Sequence, residues 1–314
     1  MQHKELLVVG ELNVDLILNQ IQGFPKIGTE IIADKMNLTL GSSSAIMAAN
    51  ASAIGINTAF CGVVGNDDYG TFIEAELEKK QVSAEFIKKT NEHQSGITIV
   101  MNYDQDRANV TYCGAMEALT IDLIPWNDIK GFKHFHLSNF FIQKGIRKDI
   151  TEIFKKAKEC GLTTSLDLQW DPENKWDFDY KECLPFVDVF MPNKEEIFAL
   201  TKKNTIKEAV SCIEEYANII VVKMGEEGSI AFKNKEEYKA TVFNNPELVD
   251  SIGAGDSFNA GFIKKYIEKA PLKECLRVGN LMGALNTTAA GGTTAFTNLE
   301  SIKETIKSKF NSEL

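Results

Sequence analysis

The stretch Val249-Asp250-Ser251-Ile252-Gly253-Ala254-Gly255-Asp256-Ser257-Phe258 joins two small-residue turns to a carboxylate and runs straight into a helical pattern. Phe258, Phe262 and Tyr266 recur at helical spacing, which predicts a helix from near Ala254. The backbone N–H groups of Gly253, Ala254 and Gly255 then lie at a positive helix end, free to meet an anion. Asp256 falls in the first turn, beside that anion. A carboxylate repels phosphate, so one placed there points to a general base for a nucleophile attacking the phosphate. The plainer alternative is a glycine turn in which Asp256 helps to cap the helix.

Outward from this loop, apolar runs bounded by turn residues recur at Leu6–Val9, Ala59–Val64, 186–190 and Ile219–Val222, as buried parallel strands do. Helical faces lie between them: Ile150, Ile153, Phe154 and Ala157 form one, Ile197 and Leu200 another. Strand alternating with helix predicts an α/β fold on a mainly parallel sheet. Residues 15–39 and 96–113 break the pattern and read as strands without helices. Ile97, Ile99 and Met101 alternate with other residues, as do Val110 and Tyr112, and the polar 105–107 segment reads as a hairpin connection. These strands form either a small separate sheet or an antiparallel edge of the main one.

The 314 residues are 44% hydrophobic and 25% charged, enough for a large core. A net charge of −10 argues against nonspecific binding to nucleic acid or anionic membranes, so any phosphate site must be local. The six cysteines form no C-x-x-C pair, which fits a reduced, cytoplasmic protein. No signal-type or membrane-spanning apolar stretch is read, and no linker or repeat divides residues 1–314.

In an open α/β sheet, ligands bind beyond the carboxyl ends of the strands. Asn13 and Asp15 follow the first strand at alternate spacing and suit vicinal hydroxyls, although Asn and Asp are also ordinary turn residues. His136 and Ser138 are read as following a 133–137 strand, with the histidine more in keeping with a satisfied core residue than a catalytic one.

The segment Asp250–Asp256 resembles the D-T-x-G-A-G-D signature of the ribokinase family of carbohydrate kinases, also called the PfkB family, with Ser251 in place of threonine. The resemblance implies that Asp256 is the catalytic base and that the backbone of Gly253, Ala254 and Gly255 is the anion hole. Further landmarks follow in order along nearly the whole chain. Asn13 and Asp15 match the positions that bind substrate hydroxyls. Gly41-Ser42-Ser43-Ser44-Ala45 is similar to the family's G-G-x-x-A-N pattern, which places Gly41, Ser42 and Ser43 at the substrate. Ser42 replaces its second glycine and Ile46 its asparagine, which puts ribose as the acceptor in doubt; Ser43 stands where ribokinase has a phosphate-reaching lysine.

Asn193 and Glu196 resemble the N-x-x-E motif, which organises Mg²⁺ through water, and the same residues read as a helix cap. Lys223, Gly225 and Gly228 are similar to the T-L-G-x-x-G nucleotide loop, with Lys223 replacing threonine. Either Lys223 neutralises ATP phosphates, or it only pairs with Glu226 or Glu227 across the turn. Asn280 to Leu285 and Ala289 to Gly292 resemble the helix and loop flanking adenine. Asp167-Leu168-Gln169-Trp170-Asp171 departs from a D-x-N-x-R pattern at Gln169 and Asp171.

The resemblance implies a ribokinase-like three-layer α/β/α sandwich with a projecting β-sheet lid, and a homodimer formed through that lid. ATP with Mg²⁺ would be the donor, with room for a monovalent cation. The implied reaction carries the γ-phosphoryl group to a hydroxymethyl group of a sugar or sugar acid. A nucleoside kinase, with Phe140 and Phe141 walling a base, and a noncatalytic sugar or nucleotide sensor remain as alternatives.

Overall fold

The computed structural model describes residues 4–103 and 106–314; Met1–His3 and two residues of the polar 105–107 connection and its approach, Asp104 and Gln105, lie outside the described residues. Thirteen strands are described: β1 Leu6–Val9, β2 Asn13–Ile21, β3 Ala33–Leu40, β4 Thr58–Gly65, β5 Ser83–Thr90, β6 Gly96–Tyr103, β7 Asp106–Tyr112, β8 His134–Ser138, β9 Thr163–Asp167, β10 Val189–Phe190, β11 Ile220–Lys223, β12 Ser229–Lys233 and β13 Glu236–Ala240. The described helices are α1 Ser43–Ala53, α2 Asp68–Lys79, α3 Ile150–Glu159, α4 Tyr180–Cys183, α5 Lys194–Thr201, α6 Ile206–Ile213, α7 Ala254–Ile267, α8 Leu272–Asn286 and α9 Leu299–Phe310.

Nine strands form the main sheet in the order β13-β12-β11-β10-β9-β8-β1-β4-β5. From β11 to β5 every pairing is parallel, while β12 and β13 are antiparallel additions at one edge. The continuous apolar runs reflect a sheet buried on both faces. Leu6 and Val8 of β1 join a core shared with α1, α7, α8 and α9, whereas Leu7 and Val9 join a second core with α3, α5 and α6. The 186–190 run is strand only at Val189–Phe190, because Leu184–Phe186, with Pro185 inside it, turns as a short 3₁₀ segment. His136 and Ser138 lie within β8 rather than after it.

The remaining four strands form a separate sheet, β3-β2-β6-β7, so the edge-of-main-sheet alternative is excluded. Its faces differ in chemistry. The register sets Asp15 beside Thr98 and Thr98 beside Thr111 on one face, and Leu16 beside Ile99 and Leu38 on the other. Leu18, Met36, Ile97, Met101, Val110 and Tyr112 continue the apolar face, and Met36, Val110 and Tyr112 are exposed. The polar face turns toward the main domain.

Candidate active site

The carboxyl ends of the parallel strands deliver polar residues to one cleft of about 1480 Å³. Glu11 and Asn13 follow β1, Asn139 follows β8, Gln169 follows β9, Asn193 follows β10, and Lys223 ends β11; all line this cleft. The second sheet closes one side with Asn13, Asp15, Thr98, Arg107, Asn109 and Thr111. Ser42, Ser43, Glu196, Gly225, Gly228, Gly253, Ala254, Gly255, Asp256 and Asn280 complete the set of sequence-predicted residues that meet there. Gly41 does not line the cleft but stands behind it. A Cβ on Gly41 would come within 2.3 Å of an Asp15 oxygen and 2.8 Å of the Asn13 amide oxygen, so only glycine lets those side chains pack.

Helix α7 begins at Ala254, where the sequence places it, and Gly253 is its N-cap in left-handed geometry at φ 75°. A Cβ there would meet the Gly292 Cα at 2.8 Å, so conformation and space both demand glycine. The loop is held from behind. Asp250 accepts from the N–H groups of Ile252 and Gly291 at 2.9 Å each. Asn50 donates to Ser257 Oγ and to the Gly292 carbonyl, both at 2.9 Å. Gly291 and Gly292 thus buttress the loop and are absent from the cleft lining, unlike the adenine-flanking role the resemblance implies for Ala289 to Gly292. Ala254 turns its N–H back to the Ser251 carbonyl at 3.2 Å, so that donor is already engaged.

Asp256 sits in the first turn of α7 and is buried. Burial and the neighbouring Asp167 carboxylate push its pKa well above the usual carboxylate value, against the pull of Lys223. Gln169 Nε2 donates to Asp256 Oδ1 at 3.0 Å. Below it, Lys223 Nζ donates to Asp167 Oδ2 at 2.5 Å, and Asn259 Nδ2 donates to the same oxygen at 2.5 Å. Burial alone would favour neutral Lys223, but Asp167 and Glu196 outweigh it and raise its pKa. Lys223 therefore pairs with Asp167, not across the turn. Glu227 pairs instead with Lys194 at 2.7 Å. The Lys223 ammonium lies 3.8 Å from where a Cβ on Gly255 would be, directly at the Gly253–Gly255 turn.

At the opposite end, Asn13 Nδ2 donates to Thr98 Oγ1 at 2.8 Å and to Asp15 Oδ1 at 3.2 Å. Burial pushes Asp15 up to about 6, moderated by the Asn13 hydrogen bond and by Arg107. Ser42 is the N-cap of α1, its Oγ accepting from the Ala45 N–H at 3.0 Å.

Asn193 and Glu196 form a full capping box on α5, with Asn193 Oδ1 accepting from the Glu196 N–H and Glu196 Oε2 from the Asn193 N–H. Burial and Asp167 raise Glu196 to about 7. Among the described residues no group of three or more His, Cys, Asp or Glu could hold a metal ion. One carboxylate and one amide oxygen at the cleft wall fit a hard cation that keeps its waters, which these oxygens would accept from. Gly225 and Gly228 shape the β11–β12 turn, both at positive φ. Asn280 Nδ2 is already engaged with the Ala240 and Thr241 carbonyls at 3.0 Å each.

Several placements differ from expectation, and several were not signalled. Phe140 and Phe141 are 2% exposed and pack in the core, so they wall no pocket; Trp170 and Ile142 line the cleft instead. His136 is buried on Ser165, its pKa pushed down to about 4 mainly by burial. Asp171 folds inward to accept from the N–H groups of Glu173, Lys175 and Trp176. Glu11 carried no signal beyond its place after the first strand. It is buried, accepts from Ser44 Oγ at 2.5 Å and Asn139 Nδ2 at 3.1 Å, and so ties β1 to α1 and to the segment after β8.

The profile described as pfkB family carbohydrate kinase matches residues 3–298. An Archaeoglobus fulgidus protein named as an uncharacterized sugar kinase is 29% identical over 233 residues, covering 74% of this chain and 92% of that protein. A Halopiger xanaduensis ATP-dependent ribose-1-phosphate kinase is 28% identical over 293 residues, covering 92% of this chain and 94% of the relative. The fold is also that of an Arabidopsis thaliana ribokinase solved with ribose and ATP, with a TM-score of 0.83, 24% identity, and coverage of 98% and 99% of the two chains.

Proposed function

We propose that this chain, which belongs to the pfkB family of carbohydrate kinases, transfers the γ-phosphoryl group of ATP to a hydroxymethyl group of a sugar or sugar acid. One observation carries the reading: a buried carboxylate of raised pKa, Asp256, stands beside the α7 N-terminus in a cleft whose other wall offers Asn13 and Asp15. Asp256 takes the proton from the acceptor hydroxyl as its oxygen bonds to the γ-phosphorus, and the bond to the β-bridging oxygen breaks. A base of raised pKa suits this role, because proton transfer improves as the base strengthens. The N–H groups of Gly253 and Gly255 and the α7 dipole would face the oxygens of the transferring group, where charge stabilisation is the main requirement, while the Ala254 N–H stays with the Ser251 carbonyl.

Lys223 adds a fixed positive charge beneath the same loop. Mg²⁺, when bound, neutralises phosphate charge, and Glu196 and Asn193 would hold its waters. Ser42, Ser43 and the polar face of the second sheet line the acceptor end, and closure of that sheet as a lid would exclude water. Gly225, Gly228 and Asn280 line the nucleotide end.

The lid would also be the dimer contact. Its outward face is the apolar one, which a second copy of the same face can cover. Sedimentation should find a dimer that Val110→Lys shifts toward monomer; a native monomer at high concentration would remove this part of the reading. Six free cysteines fit a reduced, cytoplasmic setting. The kinase reading is tested by ADP release from MgATP with D-ribose, D-fructose, 2-keto-3-deoxygluconate and adenosine. Release that rises with one of these acceptors is expected. ATP binding without any acceptor-dependent release would favour a sensor.

A further inference from the structure

We propose that Gln169 is a positioning residue for the general base, holding one oxygen of Asp256 so that the other faces the acceptor hydroxyl. The inference rests on the kinase reading above. Gln169 Nε2 donates to Asp256 Oδ1 at 3.0 Å and to Asp167 Oδ2 at 3.2 Å, and the Gln169 backbone N–H donates to Asp167 Oδ1 at 3.3 Å. One amide group therefore bridges two buried carboxylates. The far one is anchored by Lys223 and Asn259, so the bridge has a fixed foot. The outer torsion of an aspartate is broad, and without such a hold either oxygen of Asp256 could turn toward the acceptor.

The backbone supports the same conclusion from a different direction. Gln169 adopts left-handed geometry at φ 60°, which glycine or asparagine tolerates better. Strain of this kind persists where the surrounding structure requires the residue, and it gathers at functional sites. Here the left-handed turn folds the side chain back over the end of β9 and onto α7. Asparagine in its place would fit the backbone but stop one methylene short. The groups facing Asp256 are Asp167, Lys223, Glu11 and Glu196. Against the three carboxylates, a donor on Oδ1 favours the ionised form that the reaction needs.

The test uses Gln169→Gly and Gln169→Asn in the full chain, assayed with MgATP and whichever of the four named acceptors gives the highest native rate. Gln169→Gly removes the amide and relieves the backbone. Its melting temperature should equal or exceed the native value, while kcat falls by about 10- to 100-fold, the range a small misplacement of a reacting group produces. The ATP KM should stay within about twofold, since the interaction belongs to the base and not to ATP binding. The acidic limb of kcat should move to higher pH. Gln169→Asn should fall between. A Gln169→Gly protein with native kcat and an unmoved acidic limb would overturn the inference. So would one that loses activity and thermal stability together, since that marks a merely structural role. If the native chain releases no ADP with any acceptor, the kinase reading itself fails and the inference falls with it.

Discussion

The two ends of the cleft reach their chemistry by different routes. At the α7 end the atoms proposed to face the anion belong to a glycine turn, set by local conformation and buttressed by Asp250, Asn50 and Gly292. At the second-sheet end the groups are side chains, Asn13, Asp15, Thr98 and Thr111, aligned only because β2, β6 and β7 pair in one register. The first kind of site is carried by a short run of sequence. The second depends on distant strands meeting, and it costs stability, because burial raises the pKa of Asp15 despite the Asn13 hydrogen bond and the charge of Arg107.

The sharpest way to break this contrast is Asp256→Asn. Loss of a general base costs about 10²–10⁴-fold in rate, and ATP and acceptor affinity should remain near native by calorimetry. Near-normal turnover would remove Asp256 from the chemistry. Next in size is Lys223→Met. It leaves Asp167 as a buried charge without its partner, which destabilises by about 3–5 kcal/mol. The folded variant should also show a raised ATP KM and lowered turnover. Unchanged kinetics would confine Lys223 to pairing with Asp167.

At the other end, Asp15→Asn probes the cost of the side-chain site. The folded-state pKa of about 6 lies above the ordinary aspartate value of 3.8, so the folded protein binds this proton more tightly than the unfolded chain. Stability from this group is therefore complete below the unfolded pKa. It is lost as pH rises from about 4 to about 6, and it amounts to roughly 3 kcal/mol at two pKa units of 1.36 kcal/mol each. Asp15→Asn should accordingly melt higher than native at pH 8 and close to native below pH 4, while acceptor binding weakens. Equal melting differences at both pH values would show that Asp15 is not strained. The smallest effect is expected for Gly41→Ala, where the added methyl must displace Asp15 or Asn13; acceptor KM should rise with ATP KM unchanged.

How much was legible follows the same division. The α/β class, the start of α7 and the capping box at Asn193 and Glu196 were readable because each rests on periodicity or on residues within a few positions. The pairing of Lys223 was not, because the pairing expected from sequence looked to its near neighbours Glu226 and Glu227 while the partner, Asp167, lies 56 positions away. Phe140 and Phe141 were misjudged because adjacency to a strand end does not say which way a ring turns; both turn into the core.

The sequence by itself determined the family, the kinase class and the glycine turn that opens α7, since a glycine turn entering a helix carries its geometry in its own backbone. Only the tertiary structure decided that the 13–40 and 96–112 strands make a separate sheet with its polar face to the cleft. Only it joined Gln169 to Asp256 across 87 positions and Glu11 to Asn139 across 128. The physical reason is that such hydrogen bonds depend on where the packing of two cores brings chain ends together, and side-chain pairing over that range leaves no periodic trace in the order of the residues.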